Sequence, residues 1–334
     1  MPGYTLAGIG LRGVVSALPA RRVNNAEFAE RFGAKAVADI TALTGVETRF
    51  YAAPGETAGD LCLVAAKRVL ANLGWVPASV DALIFVSQTP DQRLPATACT
   101  LHAALGFSPS CQAFDVSLGC SGYVYGLWIG AALVNAGCRR VLLLAGDTSS
   151  RMVDAADRST ALLFGDAGSA TAIEADPSAA PAHFVLGSDG SGAAHIAMAG
   201  GGFRDPSGVE TLTMDGGEVF GFTLRAVPQL IRSVLERGRH DVCDVDIFAL
   251  HQANRFMLRH IAKKLGITPA QAPINIDRFG NTSSASIPLL LCTDCSAQLT
   301  QAPQRLMLAG FGVGFSWAAA SFDLPPLTCA ELIH

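Results

Sequence analysis

Apolar runs of strand length alternate with helix-length segments in the first half of the chain, and this alternation limits the possible folds more than any other feature. Residues 82–86 and 140–145 are rich in Leu, Ile and Val, and polar residues follow each run. Segments of helical length lie before and between them, at residues 57–73, 96–105 and 121–136. Strands that are apolar on both faces and are joined by helices form a mainly parallel sheet that helices cover on both sides. The sequence therefore predicts an α/β protein.

The second half repeats this order of elements. After a break rich in Pro, Ala and Ser at residues 176–181, a strand at 247–250 precedes a helix at 254–265. The two halves share no literal sequence repeat, so we infer a duplication from the order of elements alone. We expect one half to span residues 1–178 and the other residues 179–334, with the last residues forming a surface tail.

Composition excludes several classes of protein. Only 16% of the 334 residues are charged and half are apolar, which is typical of a large interior and not of a disordered chain or a coiled coil. The net charge of −4 provides no basic field that would recruit nucleic acid. The best candidate for a membrane span, residues 123–138, is short and is interrupted by glycines.

The cysteines indicate the compartment. Nine cysteines without a recognisable export signal predict a cytoplasmic protein with reduced thiols. Cys292 and Cys295 have the spacing of a redox or metal motif, but no second pair accompanies them. We therefore expect no metal site.

Cys120 lies between a predicted buried strand and a predicted helix, with Gly119 and Gly122 beside it. Free N–H groups and the positive dipole end at a helix N-terminus stabilise a thiolate, and the glycines let a substrate approach closely. This position makes Cys120 a candidate nucleophile. The alternative interpretation is a buried cysteine that packs as a small apolar side chain.

Two further polar residues lie at element ends. His251 ends a predicted strand, at the carboxyl edge where open α/β sheets build their sites. It can donate a hydrogen bond or transfer a proton, or it can be a structural histidine. Asn281 follows Gly280 in a turn before a helix of small residues, where a helix cap is the simpler explanation.

A glycine-rich segment at residues 310–314 separates two predicted strands. Its backbone N–H groups could form half of an oxyanion hole, although a plain turn is the simpler explanation. No Lys-Ser or Lys-Thr pair follows, so the segment is not a phosphate-binding loop.

A basic helix face follows His251. Arg255, Arg259 and Lys263 recur every four residues, and Lys264 is adjacent to the last of them. This spacing places three cations on one face of a helix. Such a face is ordinarily solvated, but beside a catalytic site it can bind an acidic partner.

Four segments together resemble the thiolase superfamily of condensing enzymes, and most closely the 3-oxoacyl-(acyl-carrier-protein) synthase III family. They are residues 115–122, 251–254, 279–286 and 310–317, and the resemblance extends over nearly the whole chain. It implies a five-layered αβαβα fold of two pseudo-duplicated halves with mixed, mainly parallel sheets. It also implies a homodimer.

The resemblance implies a two-step reaction on a Cys-His-Asn triad, which maps onto Cys120, His251 and Asn281. Cys120 takes an acyl group from acyl-coenzyme A or an acyl carrier protein, while the backbone N–H groups of Cys120 and Val313 hold the oxyanion. His251 and Asn281 then stabilise the enolate that forms as malonyl-acyl carrier protein loses carbon dioxide. The carbanion attacks the acyl-enzyme and gives a 3-oxoacyl thioester. Phe311 corresponds to a phenylalanine that favours decarboxylation, and no tightly bound cofactor is implied.

The resemblance also implies contacts with the substrate carriers. Leu94 corresponds to a phenylalanine that reaches across the dimer and limits the acyl pocket, and Arg151 corresponds to an arginine that contacts the coenzyme A nucleotide. The docking surface for acyl carrier protein corresponds to the cations Arg255, Arg259, Lys263 and Lys264.

Three positions depart from the family. Asp39 and Leu43 stand where relatives that use coenzyme A often carry Trp and Arg, and Phe256 stands where another arginine is usual. We infer that donor recognition differs in this chain and can favour acyl carrier protein or a specialised acyl group.

Other functions remain open. A specialised acyltransferase or a head-to-head condensing enzyme of secondary metabolism would use the same fold without malonyl decarboxylation. A papain-like cysteine hydrolase has Cys, His and Asn in the same order, but Cys120 lacks the local sequence of that class. A non-catalytic partner subunit would not need an intact triad.

Overall fold

The computed structural model describes all 334 residues, Met1–His334, and contains a six-stranded and a five-stranded sheet at its centre. The strands, in chain order, are β1 (Gly3–Leu6), β2 (Ile9–Ala17), β3 (Arg21–Asn24), β4 (Thr48–Tyr51), β5 (Ala82–Val86), β6 (Gln112–Val116), β7 (Arg140–Thr148), β8 (Asp166–Ala175), β9 (Ala182–Ser188), β10 (Ile196–Ala197), β11 (Thr213–Met214), β12 (Ile247–Leu250), β13 (Gln304–Gly312), β14 (Ser316–Leu324) and β15 (Cys329–Ile333).

The helices lie between these strands. In chain order they are α1 (Ala29–Phe32), α2 (Ala34–Thr44), α3 (Ala58–Leu73), α4 (Thr97–Ala104), α5 (Gly122–Asn135), α6 (Arg158–Ala161), α7 (Gly216–Gly238), α8 (Arg255–Leu265), α9 (Ile276–Phe279), α10 (Ser286–Cys292) and α11 (Ser296–Gln301).

Local sequence explains where the predicted helices begin. The Thr57 hydroxyl accepts a hydrogen bond from the Asp60 N–H at 3.1 Å, and the Asp60 carboxylate accepts one from the Thr57 N–H at 2.9 Å. This capping box satisfies N–H groups that a helix start leaves unpaired, so α3 begins at Ala58. Asn254 caps α8 in a related way, because its side chain accepts a hydrogen bond from the Met257 N–H at 2.8 Å.

Helices and sheets stack in five layers. The six-stranded sheet has the order β15-β2-β8-β7-β5-β6, and the five-stranded sheet has the order β1-β9-β14-β13-β12. Helices α5 and α10 lie between the two sheets, where one core cluster of 33 buried residues joins them. Helices α3 and α4 cover the outer face of the first sheet, and α7 and α8 cover the outer face of the second. The predicted αβαβα architecture is confirmed.

The sheets are mixed, as predicted, but they are not mainly parallel. Five neighbouring strand pairs of the two sheets are antiparallel and four are parallel. One reason is visible between β13 and β14, where the connection at residues 313–315 is too short for the crossover that parallel strands require. Parallel pairing is kept among β5, β6 and β7 and between β12 and β13, next to the predicted catalytic residues.

The ends of the chain cross between the predicted halves. The boundary expected at residues 178–179 falls between β8 and β9, but β1 pairs with β9 in the second sheet and β15 pairs with β2 in the first. The predicted surface tail is therefore wrong for residues 329–333. Cys329 and Ala330 are buried there, and the edge strand hides apolar side chains that a free tail would expose.

None of the helices combines the length and the apolarity that crossing a membrane would take. The nine cysteines form no disulfide. Cys292 and Cys295 are buried in the cluster between the sheets, and no group of three or more His, Cys, Asp or Glu side chains that could hold a metal ion is present.

Candidate active site

Cys120, His251 and Asn281 line one cavity of about 540 Å³. Cys120 stands between β6 and α5, His251 directly follows β12, and Asn281 follows α9. The three residues come from chain segments separated by at least 30 positions, and the folded chain places them around one space. The carboxyl ends of parallel strands form this space, as strand-end positions predict for open α/β sheets.

Two backbone N–H groups meet the sulfur of Cys120. The N–H groups of Cys120 and Val313 lie close enough to the thiol to lower its pKa. A Cβ atom at position 312 would lie 3.1 Å from Cys120 Sγ, so the close approach of the segment around residue 312 to Cys120 depends on Gly312. The glycine-rich turn is therefore part of the site, and it presents the pair of N–H groups that the sequence analysis assigned to an oxyanion hole.

The free thiol of Cys120 is protonated at neutral pH. Burial and, to a smaller extent, the negative charge of Asp147 raise the pKa of Cys120 to about 12. The Ser283 hydroxyl and the two N–H groups lower this pKa but do not offset the burial. The expected thiolate at a helix N-terminus is thus wrong for the free site, because desolvation in an apolar cavity outweighs the nearby dipoles.

His251 is held as a neutral hydrogen-bonding group. It is 1% exposed, its backbone N–H donates to the Ala309 carbonyl at 2.8 Å, and its Nδ1 lies 2.6 Å from Ser286 Oγ. Burial lowers the pKa of His251 to about 3, so the ring carries no charge at physiological pH. Since Ser286 occupies Nδ1, Nε2 is the nitrogen left without a partner in the protein.

Asn281 is oriented from three sides. Its backbone N–H donates to the Leu163 carbonyl at 2.9 Å, its carbonyl accepts from the Gly165 N–H at 3.0 Å, and its side-chain oxygen accepts from the Ser283 N–H at 2.9 Å. The bond to Ser283 closes a turn, and the N-cap of the short helix that follows is Thr282, so the expected cap by Asn281 is wrong and Asn281 lines the cavity instead. The side-chain NH₂ makes no hydrogen bond in the protein and remains a donor for a ligand.

Asp147, which the sequence analysis did not single out, ties the segments of the site together. It is fully buried at the end of β7, and its carboxylate accepts hydrogen bonds from the Gln88 N–H at 2.7 Å and the Ser284 hydroxyl at 2.6 Å. No cation pairs with it, and burial raises its pKa. Asp147 could have been found in the sequence by the criterion that identified His251, which is a polar residue at the end of a buried strand.

The rest of the cavity wall is mainly apolar. Phe311 is 2% exposed and lies edge-on to His251, with 5.5 Å between the ring centroids. Leu43 and Phe256, two of the positions that depart from the family, also line the cavity and are 59% and 47% exposed. Asp39 pairs with Lys35 on the surface of α2. Apolar side chains therefore form part of the entrance.

Two predicted residues do not line this cavity. Leu94 is 84% exposed, and Arg151 donates a hydrogen bond to the Ala53 carbonyl at 2.7 Å. Arg158, in α6, lines the cavity instead. The contact of Arg151 with the carrier stays a prediction, and Arg158 is a second candidate for that contact because it lines the cavity.

The basic face on α8 is present but smaller than predicted. Arg259 and Lys263 are exposed, line a second depression of about 420 Å³ and form no salt bridge with an acidic side chain. Arg255 is half-buried against Gly45. Lys264 turns toward α7, where its Nζ donates to the Leu224 carbonyl at 2.9 Å. Two of the four predicted cations are thus free to meet a partner.

Comparison with known protein families gives two matches. The family described as 3-oxoacyl-[acyl-carrier-protein (ACP)] synthase III matches residues 114–190, which contain Cys120. Its C-terminal counterpart, described as 3-oxoacyl-[acyl-carrier-protein (ACP)] synthase III C terminal, matches residues 235–324, which contain His251 and Asn281.

Individual relatives are similar over almost their full length. The chain is 37% identical to beta-ketoacyl-[acyl-carrier-protein] synthase III 3 of Streptomyces coelicolor, over 94% of this chain and 97% of the relative. A crystal structure of a 3-oxoacyl-(acyl-carrier protein) synthase from Burkholderia xenovorans LB400 is 47% identical, with a TM-score of 0.97 over 99% of this chain and 98% of that one. The priming beta-ketosynthase of the R1128 polyketide biosynthetic pathway is 29% identical, with a TM-score of 0.87 over 96% of this chain and 97% of that one.

Proposed function

Since the chain belongs to the 3-oxoacyl-(acyl-carrier-protein) synthase III family of condensing enzymes, we propose that Cys120 carries the acyl group and that His251 and Asn281 catalyse its condensation. The enzyme is an acyltransferase that forms a carbon–carbon bond. The observation that carries the residue assignment is the convergence of these three side chains on one apolar cavity.

In the first step, Cys120 attacks the carbonyl carbon of a thioester. The thiol gives up its proton, the C–S bond to Cys120 forms, and the bond to the donor's sulfur breaks as that thiol leaves protonated. We assign stabilisation of the negative charge on the carbonyl oxygen to the N–H groups of Cys120 and Val313, and their proximity to the sulfur supports this assignment. Hydrogen bonds that strengthen as charge develops lower the barrier, and they act most strongly in a cavity that excludes water.

In the second step, a malonyl thioester loses carbon dioxide. The electrons of the broken C–C bond move onto the thioester carbonyl oxygen as an enolate, which Nε2–H of neutral His251 and the side-chain NH₂ of Asn281 stabilise. The enolate carbon then attacks the Cys120 thioester, the Cys120 thiolate leaves, and uptake of one proton from water restores the thiol. Phe311 contributes apolar surface beside His251, where a carboxylate is poorly solvated.

Ser286 anchors the His251 ring through Nδ1, and its removal tests this arrangement. In Ser286→Ala, Nδ1 loses its hydrogen-bond partner and the ring loses this anchor, so we expect the condensation rate to fall about 5- to 10-fold. Acylation of Cys120 should stay unchanged. Single-turnover rates of both steps check this prediction. Ser296→Ala is the control, because the Ser296 hydroxyl donates to the Ala330 carbonyl and makes no bond with His251. Equal losses in both steps would contradict the assignment.

The substrates are thioesters, and we propose malonyl-acyl carrier protein as the acceptor. The exposed cations Arg259 and Lys263 support docking of an acidic carrier, because neither has an acidic partner in the chain. Arg158 is the cation placed to meet the phosphate of the pantetheine arm. We assign structural contacts to the other two cations, since Arg255 packs against Gly45 and Lys264 bonds the Leu224 carbonyl.

Charge reversal on this face should weaken carrier docking. We expect Arg259→Glu and Lys263→Glu each to raise KM for malonyl-acyl carrier protein about tenfold at low salt, and less at high salt. KM for malonyl-pantetheine, which has no protein carrier, should not change. Lys67→Glu changes the charge equally on the exposed surface of α3 and serves as the control. An equal effect of all three variants would refute a specific docking face.

The homodimer and the cytoplasmic location belong to the same proposal. Leu94 and Phe203 are exposed large apolar side chains, 84% and 89%, and Arg93 stacks on Phe203, so the two segments form one apolar surface. This surface supports a contact with a second copy of the chain. Nine free thiols support a reducing compartment.

The pathway has two candidates. Relatives named for acyl carrier protein synthases support fatty acid biosynthesis as the place of the 3-oxoacyl product. The priming beta-ketosynthase among the similar structures supports secondary metabolism as the second candidate.

A further inference from the structure

The cavity contains polar side chains that the proposed reaction does not use. Ser149 is fully buried and lines the cavity, and its hydroxyl has no hydrogen-bond partner. Gln88 lines the same cavity, and only its backbone N–H takes part in a hydrogen bond within the protein. A fully buried hydroxyl without a partner is unusual, whereas Gln88 is half-buried and its carboxamide is available to a ligand.

Sheet register brings these two residues to the same edge. Strands β5 and β7 are parallel neighbours, with Val86 opposite Ala145. Gln88 lies two residues after Val86, and Asp147 lies two residues after Ala145. The Gln88 N–H donates a hydrogen bond to the Asp147 carboxylate, and Ser149 follows two residues after Asp147. A methyl group at position 119 would collide with the carboxamide oxygen of Gln88, so this amide packs directly beside the residue that precedes Cys120. Gln88 therefore lies beside the nucleophile, and Ser149 lines the same cavity from the segment bonded next to it.

An unpaired polar group in an apolar cavity costs free energy unless a ligand or a water molecule bonds it. A purely hydrocarbon acyl chain would leave the Ser149 hydroxyl without a partner. A hydroxyl or a carbonyl on the acyl chain would satisfy it, because both Ser and Gln side chains donate and accept hydrogen bonds. The wall thus favours an oxygenated acyl group over an alkyl group of the same shape.

We propose that the acyl group transferred to Cys120 carries a hydroxyl or oxo substituent, and that Ser149 and Gln88 are the residues that select it. This inference rests on the proposed function of Cys120 and adds the chemical class of the donor. The selection needs no further catalytic group, since the substituent takes no part in bond formation.

Pairs of thioesters that differ in one group test this proposal. N-acetylcysteamine thioesters avoid any contribution from the carrier, and the pairs are 2-hydroxypropanoyl with 2-methylpropanoyl, 3-hydroxybutanoyl with 3-methylbutanoyl, and 4-oxopentanoyl with 4-methylpentanoyl. The two members of a pair compete for wild-type enzyme, and the Cys120 adducts are counted by intact-protein mass. We expect the oxygenated member of at least one pair to be favoured about tenfold or more.

Single substitutions then assign the preference. For the pair that shows the preference, we expect the ratio of oxygenated to methyl adduct to fall to about one, or below one, in Ser149→Ala and in Gln88→Leu. Ser149→Ala should fold normally because its hydroxyl bonds nothing in the protein. Ser321→Ala removes another buried, unpartnered hydroxyl, in β14 away from the cavity, and should keep the wild-type ratio.

Each other outcome has a definite meaning. Equal use of both members in all three pairs overturns the oxygenated donor, and a water molecule then satisfies Ser149. Thr223, on α7, also lines the cavity with an unpartnered hydroxyl, so a preference lost in Thr223→Val but kept in Ser149→Ala overturns the assignment to Ser149. Failure of every thioester, alkyl ones included, to acylate Cys120 refutes the proposed function itself.

Discussion

Replacement of Cys120 by alanine is expected to abolish acylation of the protein and to reduce condensation by at least about 10⁴-fold, because no other group at the site can form the thioester. The pocket is otherwise retained, since Ala fills most of the volume next to Gly312. The measurement is the intact mass of the protein after exposure to a panel of acyl-coenzyme A and acyl-carrier donors, followed by digestion to locate the adduct.

Two exposed cysteines provide the matched control for this variant. Cys99→Ser and Cys243→Ser remove thiols that reagents can reach without entering the cavity. Both variants should acquire the acyl group as the wild type does. If the adduct forms in Cys120→Ala and is absent from either control variant, the acylated thiol is the one removed in that control, and the mechanism is refuted.

His251→Ala and Asn281→Ala are expected to separate the two chemical steps. Both side chains are free donors on the wall of the cavity, and they face the enolate of the second step. Loss of one donor to a developing oxyanion costs about 10²–10³-fold in rate, so condensation should fall by that factor in each variant. Acylation of Cys120 should remain within about threefold of wild type, because its oxyanion is held by backbone N–H groups.

Rapid-quench measurements of acyl-enzyme formation and of product release from malonyl thioester check this separation. The double variant should lose little more than the worse single variant, since two donors to one oxygen act as a unit. His102→Ala removes a histidine that bonds the Ser108 carbonyl and should leave both steps intact. Slow acylation in His251→Ala would instead make His251 the base that accepts the thiol proton.

The same experiment separates decarboxylative condensation from its alternatives. A head-to-head condensing enzyme would form product from two acyl donors without releasing carbon dioxide from a malonyl thioester. A hydrolase would release free acid from the acyl-enzyme. The pair of free donors at Nε2 of His251 and the NH₂ of Asn281 favours enolate stabilisation, and carbon dioxide release that depends on both residues would establish it.

Local sequence determined the main helices and strands and made Cys120, His251 and Asn281 candidates, while the family resemblance implied the five layers and the triad. Strand and helix length, apolar periodicity and capping residues such as Thr57 are properties of short segments, and they specify α3, α5 and β5 closely. Position at the end of a strand identified Cys120 and His251 as candidates, whereas a catalytic role for Asn281 came only from the family resemblance.

Only the tertiary structure decided the charge states and the supporting contacts. Cys120 and His251 are both neutral because burial is a property of the whole cavity, which no short segment encodes. Ser286 bonds His251 across 35 positions, and Ser284 bonds Asp147 across 137, so neither partner follows from local spacing. Likewise, only the folded chain places Arg158 on the cavity wall and pairs the last strand with the first sheet, since both depend on which surfaces long-range packing brings together.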